Sequence, residues 1–147
     1  MRIKYLQKFF KNAYDYSCFA DCIIKLACKI TGTEHNLTNI GKALDIGFDK
    51  GYISFNQDDY ANYDNFTVQD SAAFLSALTG KKFVKETKGR GYVPEPGEYE
   101  VQFWAKTEEN GRKGIGHFIL PDYDPLENSQ TKKVGFIYSK RIFREVK

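Results

Sequence analysis

The sequence predicts an α+β protein in which helices come first and an antiparallel sheet follows. Apolar residues recur at helical spacing between Cys18 and Thr31, and from Lys81 onward the chain changes to short β-prone runs. Asn110-Gly111 lies between two of those runs, and this dipeptide is a strong signal for a β-hairpin. A helical half followed by an antiparallel half is typical of the α+β class.

The first predicted helix begins at Cys18. Its apolar residues fall at i, i+4, i+7 and i+11, which places them in one stripe facing a core. These residues are Phe19, Ile23, Leu26 and Ile30. Ser17 is a good N-cap, and Gly32 is a good terminator. Asp21 lies near the positive end of the helix dipole, while Lys25 and Lys29 lie toward the negative end.

Two further helices and four strands follow. Thr38 is the predicted cap of the second helix, and Thr67 with Asp70 resembles a capping box for the third, which Gly80 closes. A polar, aromatic-rich stretch over 52–66 is predicted as a loop between them. The predicted strands are Lys82 to Val84, Tyr99 to Ala105, Ile115 to Leu120 and Gly135 to Phe143.

Composition predicts one domain over residues 1–147. At 147 residues and 41% hydrophobic content, the chain is long enough to bury a substantial core. Charges or amides interrupt the apolar residues of the first eight positions, and no stretch is long and apolar enough for a membrane span. Three cysteines, an odd number, suit reduced thiols better than disulfides. We therefore expect a cytoplasmic protein without membrane contact.

The net charge of +3 leaves nucleic-acid binding as an alternative to consider. Basic residues interleave with aromatic ones near the C-terminus. These residues are Lys132, Lys133, Phe136, Tyr138, Lys140, Arg141, Phe143, Arg144 and Lys147. A strand with one solvated face explains that pattern better, so no nucleic-acid role is predicted.

Cys18 and His117 are the candidate nucleophile and base. A helix N-terminus favours the thiolate form of a cysteine, and a strand is a rigid mount for an imidazole. His117 lies in the β-prone run Gly116-His117-Phe118. Cys22 is one turn further into the helix and is interpreted as a small buried side chain. The pair predicts nucleophilic cysteine chemistry.

A zinc site is the second chemical hypothesis, with Cys18, Cys22, Cys28 and His35 as ligands. Cys28 lies about 240° around the helix from Cys22, so a tetrahedral cage would have to break the helix. We therefore predict no metal and no cofactor.

This arrangement resembles that of papain-like cysteine peptidases. Ser17-Cys18-Phe19 is similar to the small residue, Cys and aromatic residue that open that family's nucleophile helix. Within the superfamily the chain is similar to bacteriocin-processing (C39-like) peptidases and to a small family of spirochaetes and phages. A closing segment carries the likeness to that small family. It reads Tyr123-Asp124-Pro125, Ser129, Thr131, Gly135, Ser139, Arg141 and Phe143.

The resemblance implies a papain-like fold, in which the nucleophile helix packs on the C-terminal sheet, and a Cys18-His117-Asp124 triad. It also implies an oxyanion donor where Asn12 stands, six residues before Cys18, in place of the family's usual Gln; Gln7 is the other candidate. The interval from His117 to Asp124 is only seven positions, and a tight turn at Pro121-Asp122 would accommodate it. Asp122 is the reserve for the third member.

The implied function is hydrolysis of an amide, either peptide or isopeptide, in a protein or peptide substrate. The alternative is a catalytically weak or inactive papain-like binding module, of phage or plasmid origin, that acts on a host protein. The aromatic-rich 52–66 stretch leaves room for such a partner site.

Overall fold

The computed structural model of the chain describes residues 18–58, 63–105, 117–121 and 136–147. Within these ranges the side chains at positions 18, 56–58, 63–65, 105 and 117 are not described. The elements in chain order are α1 (Cys18–Thr31), α2 (Leu37–Asp49), β1 (Ile53–Asp58), β2 (Tyr63–Val68), α3 (Ser71–Thr79), β3 (Phe83–Gly89), β4 (Glu98–Ala105), β5 (His117–Ile119) and β6 (Phe136–Glu145). This order confirms the α+β class.

The first helix is buried on every side. All residues from 20 to 28 are buried, and Ala20, Cys22 and Ile23 have no exposed surface. The helix packs against α3, β5 and β2, so it is surrounded rather than laid on one surface of a core. The predicted stripe does face the core, where Ile23 and Leu26 are buried and Phe19 and Ile30 pack against them, and the burial extends beyond the stripe to Asp21 and Lys25 on the other side of the helix. Gly32 adopts the left-handed conformation just after the helix, as its role of terminator requires.

Helices α2 and α3 are each capped at the N-terminus by a side chain that accepts a hydrogen bond from a backbone N–H. Asn36, and not Thr38, caps α2, because its side-chain oxygen accepts from the backbone N–H of Asn39 at 2.9 Å. Asp70 caps α3 in the same way through Ala73 at 3.0 Å. Gly80 closes α3 with a φ of 71°, as predicted.

The stretch over 52–66 is a hairpin rather than a loop. Strands β1 and β2 pair antiparallel, with Phe55 opposite Phe66. Their rings lie 5.1 Å apart, and Phe66 is buried. Asn and Asp residues are depleted from strands, and that composition concealed a pairing that the cross-strand contact of Phe55 with Phe66 stabilises.

Among the described residues, the second sheet has four antiparallel strands in the order β3-β6-β4-β5. The predicted β4–β5 pairing is confirmed, although the Asn110-Gly111 turn lies outside the described residues. One face of the sheet, which includes Val101 and Phe143, packs into the core with α1. Strand β5 is at the edge of this sheet and in contact with α1. In the described part of the chain, no helix has both the length and the apolar character to cross a bilayer.

Candidate active site

The structure brings the start of α1 and the start of β5 together. Cys18 is the first residue of α1, and His117 is the first residue of β5, where it pairs with Trp104 of β4. Phe19 and Phe118, which follow the two candidate residues in sequence, stack with ring centroids 4.3 Å apart and planes inclined by 27°. Offset stacking at this distance is favourable and fixes the two backbones relative to each other.

Phe118 is the centre of a small aromatic cluster. The ring of Phe103 lies 4.8 Å from it, and the guanidinium carbon of Arg141 lies 5.5 Å from its centroid. Arg141 also donates to the Ser139 hydroxyl at 2.8 Å. Burial lowers the pKa of Arg141 from its ordinary value, and an arginine nevertheless stays charged at neutral pH. The contact therefore places a permanent positive charge against the strand that carries His117.

A β-bulge lies beside His117. The register between β4 and β6 changes between Phe103, which pairs with Ser139, and Trp104, which pairs with Ile137. Tyr138 is therefore the extra residue on β6. Bulges increase local twist and redirect side chains at strand ends. This one is located where Trp104 connects β6 to His117.

The chemistry available at the start of α1 comes from the backbone. The first N–H groups of a helix have no partner within the helix, and the dipole concentrates positive potential there. A thiolate and a tetrahedral oxyanion are both negative, so both are stabilised at such a position. The side chains of Cys18 and His117, and all of Gln7, Asn12, Asp122 and Asp124, lie outside the described part of the structure. The triad and the oxyanion donor therefore stay predictions.

Sequence reasoning missed a buried ionic cluster on α1. Asp21 and Lys25 are each 1% exposed, and His35 is 7% exposed. The Lys25 Nζ lies 2.9 Å from Asp21 Oδ2, and the His35 Nε2 lies 3.3 Å from Asp21 Oδ1. A carboxylate only accepts, so the Nε2 of His35 is the donor in that hydrogen bond. The i, i+4 spacing of an acid and a base was the available signal.

The two described cysteines are buried thiols, as expected for Cys22. Burial raises the pKa of Cys28, and the negative charge of Asp21 raises it further. Within residues 18–58, 63–105, 117–121 and 136–147, no three His, Cys, Asp or Glu side chains are arranged to hold a metal ion. His35, a ligand in the zinc hypothesis, instead contacts Asp21.

No protein-family model, curated protein or solved structure matches the chain.

The stacked pair Phe19 and Phe118 should couple energetically. We expect a double-mutant cycle of Phe19→Ala and Phe118→Ala, measured by urea unfolding, to give a coupling of about 0.5–1.5 kcal/mol. Val93, which is 78% exposed, provides the control, and Val93→Ala combined with Phe19→Ala should be additive within about 0.5 kcal/mol. Additivity of the Phe19 and Phe118 changes would show that this contact does not hold α1 to β5.

Proposed function

We propose that the chain is a papain-like thiol hydrolase that cleaves an amide bond with Cys18, His117 and Asp124. One observation carries the proposal. The helix that begins at Cys18 packs against the strand that begins at His117, and the next residue of each element joins the stack between Phe19 and Phe118. A nucleophile and its base must come from elements held together in this way.

The proposed reaction is acyl transfer to Cys18. His117 takes the thiol proton, which leaves a thiolate and an imidazolium, and the helix N-terminus stabilises the thiolate. The thiolate attacks the amide carbonyl, and the tetrahedral intermediate expels the amine, which receives the proton from His117. A water molecule, deprotonated by His117, then hydrolyses the thioester and regenerates the free cysteine.

Asp124 and the oxyanion donors complete the proposal. Asp124 accepts a hydrogen bond from the His117 ring, holds the required tautomer and stabilises the imidazolium. The Cys18 backbone N–H and the Asn12 side-chain amide bind the oxyanion, with Gln7 as the other candidate for the second donor. Loss of one such donor lowers the rate by about 10²–10³.

The substrate class is a protein or peptide that presents a peptide or isopeptide bond. Thiolate chemistry on an amide needs no metal or cofactor, and we propose none. A cytoplasmic location fits this chemistry because catalysis needs the thiol reduced.

Cys18 should be the reactive cysteine of the native protein. We expect iodoacetamide at mildly acidic pH to modify Cys18 well before Cys22 or Cys28, because only Cys18 has a helix terminus and a base to stabilise its thiolate. Burial and the raised pKa of Cys28 slow that thiol. Peptide mapping by mass spectrometry gives the rate at each site, and Cys18→Ala is the control for assignment.

The preference should depend on His117. His117→Ala should lower the Cys18 rate by about tenfold or more at that pH, whereas His35→Gln should retain the preference for Cys18. Equal rates at all three cysteines, or a full preference in His117→Ala, would contradict the hydrolase proposal. Selective alkylation without turnover of any acyl-peptide electrophile would instead favour the inactive binding module.

Substitutions of Asp124 and Asp122 test which of the two is the third member of the proposed triad. We expect Asp124→Asn to slow Cys18 alkylation strongly while the melting temperature stays close to that of the wild type, because the asparagine disturbs the His117 tautomer. Asp122→Asn should have little effect, as for a solvated turn residue. A large effect of Asp122→Asn with none from Asp124→Asn would reverse the assignment, and no effect of either would indicate a Cys18-His117 dyad.

A further inference from the structure

A polar stripe runs along α1 inward from Cys18. Positions 18, 21, 25 and 28 are spaced i, i+3, i+7 and i+10, so they share one side of the helix. Cys18, Asp21, Lys25 and Cys28 occupy these positions. The apolar stripe of Phe19, Ile23, Leu26 and Ile30 lies on the opposite side, and the polar stripe is also buried from Asp21 to Cys28.

An unpaired carboxylate at position 21 would oppose a thiolate at position 18. Side chains at i and i+3 on a helix have Cβ atoms about 5–6 Å apart. At that separation, in a buried environment, two negative charges repel far more strongly than they would in water. Burial is the larger cause of the raised pKa of Cys28 on the same stripe, and the negative charge of Asp21 raises it further.

The carboxylate is instead paired on both oxygens. The Lys25 ammonium contacts Oδ2 at 2.9 Å, and the His35 Nε2 contacts Oδ1 at 3.3 Å. All three side chains are at most 3% exposed, so water contributes little to screening the carboxylate. His35 follows α1 in sequence and folds back onto its first turns, which ties the 33–36 segment to the helix.

We propose that Lys25 and His35 are positioning residues for Cys18, because both hold the Asp21 carboxylate and the Lys25 ammonium offsets its charge on the side of α1 that begins at the nucleophile. This inference rests on the proposed function and deepens it. Asp21 then serves as the buried anchor for the 33–36 segment, and the helix N-terminus keeps its favourable potential for the thiolate.

Few other ionisable groups face this stripe. Helix α3 packs on α1 and carries no ionisable side chain. Strand β5 contributes His117, and β2 contributes Tyr63 and Asp64, whose side chains lie outside the described residues. On α1 itself the ionisable groups on or beside the described stripe are Asp21, Lys25, Cys28 and Cys22. Lys42 of α2 lines a cavity with Cys28, at the far end of the stripe from position 18. Lys25 and Asp21 are therefore the charges whose exchange tests the proposal.

The experiment measures the rate of iodoacetamide alkylation at Cys18 as a function of pH, in the full chain. Lys25→Met leaves the Asp21 carboxylate without its ammonium partner. The midpoint of the pH–rate profile should therefore move to higher pH by about one unit, with about tenfold slower alkylation below that midpoint. Asp21→Asn removes the negative charge and keeps Lys25, so the midpoint should move to lower pH. The double variant Asp21→Asn/Lys25→Met should return it close to the wild-type value.

A merely structural role predicts a different result. If the cluster only stabilises the helix, the single variants lower the plateau rate without moving the midpoint, or move it in the same direction, and either outcome overturns the proposal. Lys25→Arg keeps the charge and should keep the midpoint. Where Lys25→Met does not fold, as shown by circular dichroism, Asp21→Asn decides alone, since an unchanged or raised midpoint in that variant contradicts the proposal.

The outcome is separable from that of the proposed function. The function is tested by the absolute reactivity of Cys18 and its dependence on His117, whereas this inference is tested by the direction of the shifts between variants. Opposite shifts in a chain whose Cys18 does not depend on His117 would uphold the electrostatic coupling and reject the hydrolase. Selective, His117-dependent reactivity of Cys18 with an unchanged pH midpoint in Asp21→Asn would uphold the hydrolase and reject the electrostatic coupling.

Discussion

The rest of the structure depends on the burial of α1 on all sides. Residues 20 to 28 are withdrawn from water, and α3, β5 and β2 pack around the helix. Burial of an isolated charge costs several kcal/mol, so a helix in this position can carry Asp21 and Lys25 only as an ion pair. Removal of one partner of such a pair typically costs about 3–5 kcal/mol.

The edge strand β5 and the aromatic cluster connect this helix to the sheet. Phe19 of α1 stacks on Phe118 of β5, and Phe103 of β4 contacts Phe118 from the sheet. Arg141 of β6 lies against the rings of Phe103 and Phe118. Three strands thus contribute to the contact that aligns the start of α1 with the start of β5. Asp21 and Phe19, which carry the ionic contact and the aromatic contact, lie on opposite sides of α1.

Local signals in the sequence predicted much of this arrangement. The helical period from Phe19 to Ile30, the terminators Gly32 and Gly80 and the β4–β5 pairing all follow from short-range chemistry, and all were confirmed. The hairpin over 53–68 was missed because Asn and Asp residues are depleted from strands. The burial of Asp21, Lys25 and His35 was missed because it depends on packing around the helix. Asn36 rather than Thr38 caps α2 because its side-chain oxygen accepts the hydrogen bond from the Asn39 backbone N–H.

The central claim is that Cys18 and His117 form one coupled acid–base pair. The chain has two histidines, His35 and His117, so an NMR titration of labelled imidazoles resolves each one. If the account is correct, His117 titrates with a pKa raised by the Cys18 thiolate, and in Cys18→Ala that pKa falls toward the ordinary value of about 6.5, while the His35 signal is unchanged. An identical His117 titration curve in the wild type and in Cys18→Ala would contradict the account.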